Sequence, residues 1–270
     1  MVACIIAVGS ELLTPFRVDT NSLTITERLN AVGYEVRLKA VVGDQVEELA
    51  RVLESALGWA KVIVITGGLG PTEDDITRDA LALTLNAPLS VDEQIADQIR
   101  ERFARRGLTM PAINRRQAMV PLGATVLENP NGSAPGLLMK RHDAFVIVLP
   151  GPPREMTPML EAVVRDRLVA GRGGAGLFRR VVKITGRTES DVDACAQPVY
   201  GPWVSQAVPI STTILAALGQ VELHLTARAA TRALADAALD AAVDQLRAVL
   251  GPAIYSLDGR PLEAVIGEML

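Results

Sequence analysis

The first 165 residues alternate short apolar runs with longer segments in which apolar residues recur every three or four positions. Four apolar runs predict β-strands: Val2–Val8, Glu35–Val42, Val62–Thr66 and Phe145–Leu149. Four periodic segments predict helices: residues 21–32, 45–57, 72–86 and 91–106. This alternation favours a mostly parallel sheet with helices on both faces, so residues 1–170 are expected to form an α/β, three-layer domain.

A glycine-rich segment at residues 171–178 predicts a linker to a second domain, expected over residues 179–255. The predicted elements there follow the order β-α-β-β-α: residues 179–185, 188–200, 210–216, 220–228 and 231–250. That order is typical of a small α+β domain of the split-βαβ type. A further helical pattern begins at Pro261, so residues 256–270 are expected to begin a linker or a truncated C-terminal region.

The overall charge argues against polyanionic partners. The chain carries 31 acidic and 27 basic residues, a formal net charge of −4, and 3% aromatic residues. A protein that binds nucleic acid or an anionic membrane usually has a basic excess, and base stacking requires aromatic side chains. We therefore expect a small-molecule ligand and neither nucleic acid nor a membrane as partner.

The cysteines and the N-terminus indicate the compartment. Cys4 and Cys195 lie far apart in apolar settings, which is typical of a reducing compartment and not of a disulfide framework. The apolar N-terminal run lacks the basic region and the cleavage site of a signal peptide. No apolar run approaches the roughly 20 residues that span a bilayer. The sequence therefore predicts a cytoplasmic protein.

The strongest chemical signal is VIVITGGLGPTEDDITRDA at residues 62–80. A buried strand is expected to end at Thr66, and Gly67, Gly68 and Gly70 then form a sharp turn. A helix is expected to begin near Thr72, which can cap it. Glycines let a backbone approach a ligand closely, and the amides of such a turn favour an anion such as phosphate.

Three carboxylates, those of Glu73, Asp74 and Asp75, follow in the same turn and would repel a phosphate. A divalent cation resolves this conflict, because Mg²⁺ is typically held by one or two carboxylates together with phosphate oxygens. The alternative is that the acidic side chains only complement the helix dipole. The string is neither a Walker A loop nor a dinucleotide fingerprint.

Other polar groups follow predicted strands and are expected at the same rim of the sheet, beyond the carboxyl ends of the strands. Ser10 and Glu11 follow the first strand, with Asp19 and Asn21 shortly afterwards, and Asp44 follows another rim strand. For Asp19 and Asp44 the alternative is a plain N-cap of the next helix.

Two later segments add candidate phosphate contacts. Arg116 can pair bidentately with phosphate, and the turn-rich loop at residues 131–136 offers backbone amides and the Ser133 hydroxyl. Pro152 and Glu155 open a helix after the last predicted strand. Ordinary loop chemistry and helix initiation are the alternatives for these two segments.

Together these strings resemble the N-terminal part of the bacterial CinA (competence/damage-inducible) proteins, whose first domain belongs to the molybdopterin-binding superfamily. The matching strings are GSELL (9–13), DTNS (19–22), VVGD (41–44), TGGLGPTEDDITR (66–78), NRRQA (114–118), NPNGSAPG (129–136) and LPGPPREM (149–156). They follow the family's order and spacing. The segment TPFRV before DTNS departs from the Gly-containing stretch of many relatives.

The resemblance implies a molybdopterin-binding-like fold and metal-dependent hydrolysis of ADP-ribose, or of a related nucleoside diphosphate sugar, to AMP and ribose 5-phosphate. It also implies a homodimer, to which the alternating strand at residues 220–228 could contribute an interface. The alternatives are binding or adenylylation of molybdopterin or another pterin phosphate, and a non-catalytic nucleotide-binding module. The AESCTGG-like motif of the amidase domain in longer relatives is absent, so no amidase activity is expected from these residues.

Under this hypothesis Asp74 holds the divalent metal, which is Mg²⁺, Mn²⁺ or Co²⁺, and Asp75 caps the turn or positions water. Asp44 or Glu11 orients or deprotonates that water. The expected substrate and phosphate contacts are Ser10, Asp19, Asn21, Gly67, Gly68, Gly70, Thr72, Arg116, Gly132, Ser133, Ala134, Pro152 and Glu155.

Overall fold

The computed structural model describes residues 1–169, 175–217 and 219–269. They divide into two compact units, the first formed mainly by the residues up to 169 and the second mainly by those from 175 onward. In the described part of the chain, no helix combines the length and the apolar character that a membrane crossing requires.

A six-stranded sheet forms the centre of the first unit. Its strands are β1 (Val2–Val8), β2 (Glu35–Val42), β3 (Val62–Thr66), β6 (Thr125–Leu127), β7 (Gly136–Arg141) and β8 (Ala144–Leu149). Their order in the sheet is β2-β1-β3-β8-β7-β6. β2, β1, β3 and β8 pair in parallel, whereas β7 pairs antiparallel with both β8 and β6. The sheet is therefore mostly parallel, as predicted. β4 (Leu89–Val91) and β5 (Met119–Pro121) form a separate two-stranded ribbon.

Helices cover both faces of this sheet. They are α1 (Asn21–Ala31), α2 (Val46–Leu57), α3 (Thr77–Leu85), α4 (Glu93–Ala104) and α5 (Pro153–Val163). Leu53 of α2 and Leu81 of α3 share one core with Ile6 and Ile63. Ile5, whose side chain points the opposite way from that of Ile6, is equally inaccessible. The buried faces of α1 and α5 lie outside that core, and an ion pair between Arg28 and Glu161 joins the two helices.

Helix α3 begins five residues later than the sequence pattern predicts. Residues 71–76 form turns, and the first helical residue is Thr77. Thr72 is therefore not the cap of the helix. Its amide and hydroxyl both donate to the carboxylate of Asp75, at 2.9 and 2.6 Å, and these side-chain bonds replace helical ones in this stretch.

The second unit is an α+β domain, as predicted. Its elements are β9 (Gly176–Thr185), α6 (Glu189–Tyr200), β10 (Ile210–Ala217), β11 (Gln220–Ala229), α7 (Arg232–Leu250), β12 (Ile254–Ser256) and α8 (Leu262–Met269). The strands form one antiparallel sheet in the order β10-β11-β9-β12. Helices α6 and α7 pack on it around Trp203, which is 1% exposed.

The structure changes one predicted boundary in this unit and adds one strand. Gly176–Phe178, assigned to the linker, begin β9 because they pair with β11; residues 171–174 of that linker lie outside the described residues. A strand at residues 254–256 was not predicted, and it pairs with β9. β11 is flanked by β10 and β9, so its backbone edges are paired within the chain, and the interface predicted for this strand stays a prediction.

Candidate functional site

A cleft of about 720 Å³ opens where the parallel strands of the first unit end. Polar groups following four different strands meet there, as expected for a sheet of this type. All of the predicted site residues line this cleft except Ser10, Arg116 and Gly132: Glu11, Asp19, Asn21, Asp44, Gly67, Gly68, Gly70, Thr72, Asp74, Asp75, Ser133, Ala134, Pro152 and Glu155. The structure thus brings together segments that are separated by up to 144 positions in the sequence, from Glu11 to Glu155.

The three glycines of the turn are required by the protein's own packing. Gly67 and Gly68 have φ angles of 103° and 64°, which side chains rarely tolerate. A Cβ atom on Gly67 would lie 2.2 Å from the carbonyl oxygen of Val8, and one on Gly68 would lie 2.3 Å from the hydroxyl of Thr77. The glycines therefore let the turn approach other atoms of the protein. Their presence does not by itself require a ligand.

Asp75 organises the acidic part of the turn. Its carboxylate accepts hydrogen bonds from the amide of Gly70 at 2.6 Å and from the amide and hydroxyl of Thr72. The neighbouring carboxylate of Asp74 is exposed and accepts no hydrogen bond from any described residue. The two adjacent aspartates therefore differ: one fixes the turn, and the other is available to a ligand.

A buried arginine supports the same turn from within the protein. Arg78, in the first turn of α3, is 4% exposed and donates to the carbonyl oxygens of Leu69 and Gly70, at 2.6 and 3.3 Å. Burial lowers the pKa of this guanidinium to about 10, and the nearby carboxylates of Asp75 and Asp79 oppose that shift. Arg78 is therefore still charged at neutral pH; it was not among the residues predicted for the site.

Arg116 does not line the cleft, and its predicted phosphate contact stays a prediction. Its guanidinium donates to the carbonyl oxygen of Thr72 at 3.0 Å and pairs with Asp79 at 3.2 Å. It thus ties the short 3₁₀ helix Ala112–Ala118 to the turn and to α3. These guanidinium hydrogen bonds stabilise the residues that form the wall of the site.

Asp44 and Ser10 join the ends of β2 and β1. The Asp44 carboxylate accepts from the amide of Ser10 at 2.9 Å, and the Ser10 hydroxyl accepts from the amide of Asp44 at 3.0 Å. Gln45, not Asp44, is the N-cap residue of α2, so the plain capping alternative fails for Asp44. Ser10 lies outside the cleft lining, its hydroxyl still has a proton to donate, and its predicted ligand contact stays a prediction.

The start of α1 is tied to the ends of β3 and β8. The Asn21 side-chain amide donates to the Thr66 hydroxyl at 3.2 Å and to the carbonyl oxygen of Gly151 at 2.7 Å. Asp19 accepts from the amide and the hydroxyl of Ser22, which is the capping arrangement considered for it in the sequence. Both residues therefore stabilise the shape of the cleft and also line it.

Glu155 is 8% exposed and forms the far wall. Its carboxylate accepts from the side-chain amide of Asn129 at 2.8 Å, and that amide also donates to the carbonyl of Ala134. A Cβ atom on Gly132 would lie 1.8 Å from Glu155 Oε2, so this glycine accommodates the carboxylate. Gly132 is thus required by packing against this carboxylate, and its predicted contact with the substrate stays a prediction. Asn129 was missed, although its Asn-Pro-Asn-Gly context is a typical turn signal.

The cleft has an uneven charge distribution. Six carboxylates line it, from Glu11, Asp19, Asp44, Asp74, Asp75 and Glu155, whereas Arg17 is the one cationic side chain among the described lining residues. Only the carboxylates of Glu11 and Asp74 accept no hydrogen bond within the described part of the chain. No three His, Cys, Asp or Glu side chains among the described residues form a group able to hold a metal ion unaided.

Comparisons with known proteins agree with this fold and order of segments. The family described as "Probable molybdopterin binding domain" matches residues 4–170, and "Damage-inducible protein CinA KH domain" matches residues 179–256. The first unit thus belongs to the molybdopterin-binding-like domain family, and a domain of the CinA KH family follows it. The chain belongs to the CinA family, as the resemblance in its sequence predicted.

Individual relatives cover the whole chain. It is 41% identical to a CinA-like protein of Solibacter usitatus and 42% identical to one of Koribacter versatilis, along its entire length in both cases. The chain spans about two thirds of those relatives, 64% and 65% of their lengths. A crystal structure of the protein CinA "with unknown function" from Thermoplasma acidophilum is 34% identical, with a TM-score of 0.58, over 62% of this chain and 98% of that one.

Proposed function

We propose that this cleft hydrolyses the pyrophosphate bond of ADP-ribose, or of a related nucleoside diphosphate sugar, in a reaction that depends on a divalent cation. The observation that carries the proposal is the pair of carboxylates, Glu11 and Asp74, that accept no hydrogen bond from described residues in a cleft of about 720 Å³. That volume suits a dinucleotide-sized ligand. The family resemblance supplies the substrate class.

The residues present fit a cation that binds together with the substrate. Asp74 offers one free carboxylate on the exposed turn, and the amides of Gly68 and Leu69 donate no hydrogen bond within the described residues. Mg²⁺ commonly takes one or two protein carboxylates and completes its shell with phosphate oxygens and water, and Mn²⁺ or Co²⁺ could take the same place. When bound, the cation would neutralise charge on the pyrophosphate.

The chain's own residues then divide the remaining work. Glu11 accepts a proton from the attacking water, whose oxygen forms a bond to one phosphorus while the bridging P–O bond breaks. The products are AMP and ribose 5-phosphate. Asp44 orients the same water with the carboxylate oxygen that Ser10 does not use. Asp75 keeps the turn in shape, and Ser133 and Ala134, which line the cleft, lie against the substrate.

The test is a steady-state assay of AMP and ribose 5-phosphate released from ADP-ribose with Mg²⁺, Mn²⁺ or Co²⁺, repeated in excess chelator. We expect turnover that the chelator abolishes and added metal restores. Absence of metal-dependent turnover on every nucleoside diphosphate sugar tried would reject the proposal.

The family description favours a second candidate, binding or adenylylation of a pterin phosphate such as molybdopterin. Both candidates use the same rim of phosphate-binding groups. A pterin that copurifies with the protein and is detected by its fluorescence would favour this second function. Tight nucleotide binding without turnover under any metal would instead indicate a non-catalytic module.

We also propose that the chain forms a homodimer. β2 and β10 each form one edge of their sheet and offer backbone groups for pairing, whereas β11 is internal. Light scattering is expected to give twice the chain mass of 28.7 kDa. A mass equal to one chain would reject the dimer.

A further inference from the structure

The segment Thr14–Thr20, between the 3₁₀ helix Ser10–Leu13 and α1, borders the cleft and is held only at its ends. The Thr14 hydroxyl donates to the carbonyl of Glu11 at 2.7 Å, and Asp19 accepts from Ser22. Within the described part of the chain, residues 15–18 form no hydrogen bond. The middle of the segment is therefore free to adjust to a ligand.

Arg17 lies in the middle of this segment and lines the cleft. It forms no ion pair or hydrogen bond with any described residue. The two other arginines near the turn are already engaged: Arg78 with backbone carbonyls, and Arg116 with Thr72 and Asp79. Arg17 is therefore the guanidinium of this cleft with all of its donors unused.

The charge of the cleft makes this arginine consequential. Six carboxylates line the same space, so a diphosphate entering it meets strong repulsion. One divalent cation at Asp74 offsets only part of that charge. A planar guanidinium can donate two parallel hydrogen bonds to phosphate oxygens, and such charge-assisted bonds are about twice as strong as neutral ones.

We infer that Arg17 binds the diphosphate of the substrate and thereby selects ligands that carry one. The inference rests on the proposed function for its substrate class. It assigns a specific role to the segment TPFRV at residues 14–18, which borders the cleft. If Arg17 were only a solvated surface residue, its removal would leave ligand affinity unchanged.

The experiment measures binding separately from turnover. The probe is the analogue of ADP-ribose in which a CH₂ group replaces the bridging oxygen of the diphosphate, titrated calorimetrically in the presence of Mg²⁺. Arg17→Ala is expected to raise its Kd by roughly 10- to 100-fold, and Arg17→Lys by less, because lysine keeps the charge but loses the fork. Adenosine, which has no phosphate, is expected to bind the wild type and Arg17→Ala alike.

The matched control is Arg51→Ala, which removes the same charge from the exposed side of α2, where the Arg51 side chain bonds, among the described residues, to the Glu47 carbonyl of its own helix alone. A Kd unchanged in Arg17→Ala, or raised equally in Arg51→Ala, overturns the inference, as does a wild type that does not bind the analogue. Arg17-dependent binding without hydrolysis of ADP-ribose would reject the proposed function and leave the inference standing. If Arg17→Ala hydrolyses ADP-ribose with an unaltered KM, the inference is rejected and the proposed function stands.

Discussion

The carboxylate of Asp75 occupies the space that a side chain on Gly70 would need. A Cβ atom at Gly70 would lie 2.4 Å from Asp75 Oδ2, and the Gly70 amide donates to Asp75 Oδ1 at 2.6 Å. Five residues apart in sequence, the two positions close the loop that precedes α3. The shape of the acidic turn therefore depends on a small residue and a carboxylate acting together.

Changing either member of this pair should distort the turn. Gly70→Ala displaces the Asp75 carboxylate. Asp75→Asn replaces one carboxylate oxygen by an NH₂ group, which cannot accept from the amide or hydroxyl donors that bonded to that oxygen. We expect each to lower the free energy of unfolding by about 1–3 kcal/mol, measured by urea denaturation. Because both act on one contact, the double variant should lose less than the sum of the two single losses. Strict additivity would contradict the coupling.

Asp74→Asn should behave differently from changes at Asp75. Its carboxylate accepts no hydrogen bond from described residues, so the unfolding free energy should change by less than about 0.5 kcal/mol. If Asp74 holds the cation, turnover of ADP-ribose should fall on the order of 10²-fold. The metal concentration giving half-maximal rate should rise as well. Unchanged turnover and metal dependence would show that the metal site is misplaced.

The sequence predicted the position of this turn but not its internal structure. Val62–Thr66 was correctly bounded, because a β-branched run followed by glycines has few other interpretations. The start of α3 was wrong because Asp75, through its side chain, competes with helical hydrogen bonds, and no periodicity reveals that. The phosphate contact of Arg116 was predicted from its residue type alone. Its pairing with Asp79 depends on tertiary packing, which the sequence pattern does not reveal.

Glu11→Gln tests the proposed proton acceptor. The amide is close in size but cannot accept the proton, so kcat should fall by about 10²-fold or more with little change in KM. Glu47→Gln, at an exposed position in the first turn of α2, is the matched control and should leave the kinetics unchanged. If Glu11→Gln retains full kcat, Asp44 becomes the candidate, and Asp44→Asn should then show the loss.

Removing Arg78 should destabilise the first unit. Arg78→Met deletes both donors to the carbonyls of Leu69 and Gly70 and leaves them poorly satisfied in a buried place. The expected loss in unfolding free energy is about 2–4 kcal/mol, measured by urea denaturation. Arg78→Lys should recover only part of the lost unfolding free energy, because a single ammonium group cannot bond to both carbonyls as the forked guanidinium does. Arg51→Met, on the exposed face of α2, should cost far less, and an equal cost in both would argue against a supporting role for Arg78.

Cys4, in the middle of the parallel sheet, should make stability fall at alkaline pH. The side chain is 0% exposed, and burial raises the pKa of its thiol from 9.0 to about 11. Between those values the unfolded chain releases the proton while the folded chain retains it, so the free energy of unfolding declines as pH rises. By pH 10.5 this contribution should be on the order of 2 kcal/mol. Cys4→Ala leaves a small cavity that costs the same at every pH, so the measurement is the difference between wild type and variant in urea at pH 8 and 10.5. A difference that does not change with pH would mean that the thiol titrates as freely in the folded protein as in the unfolded one.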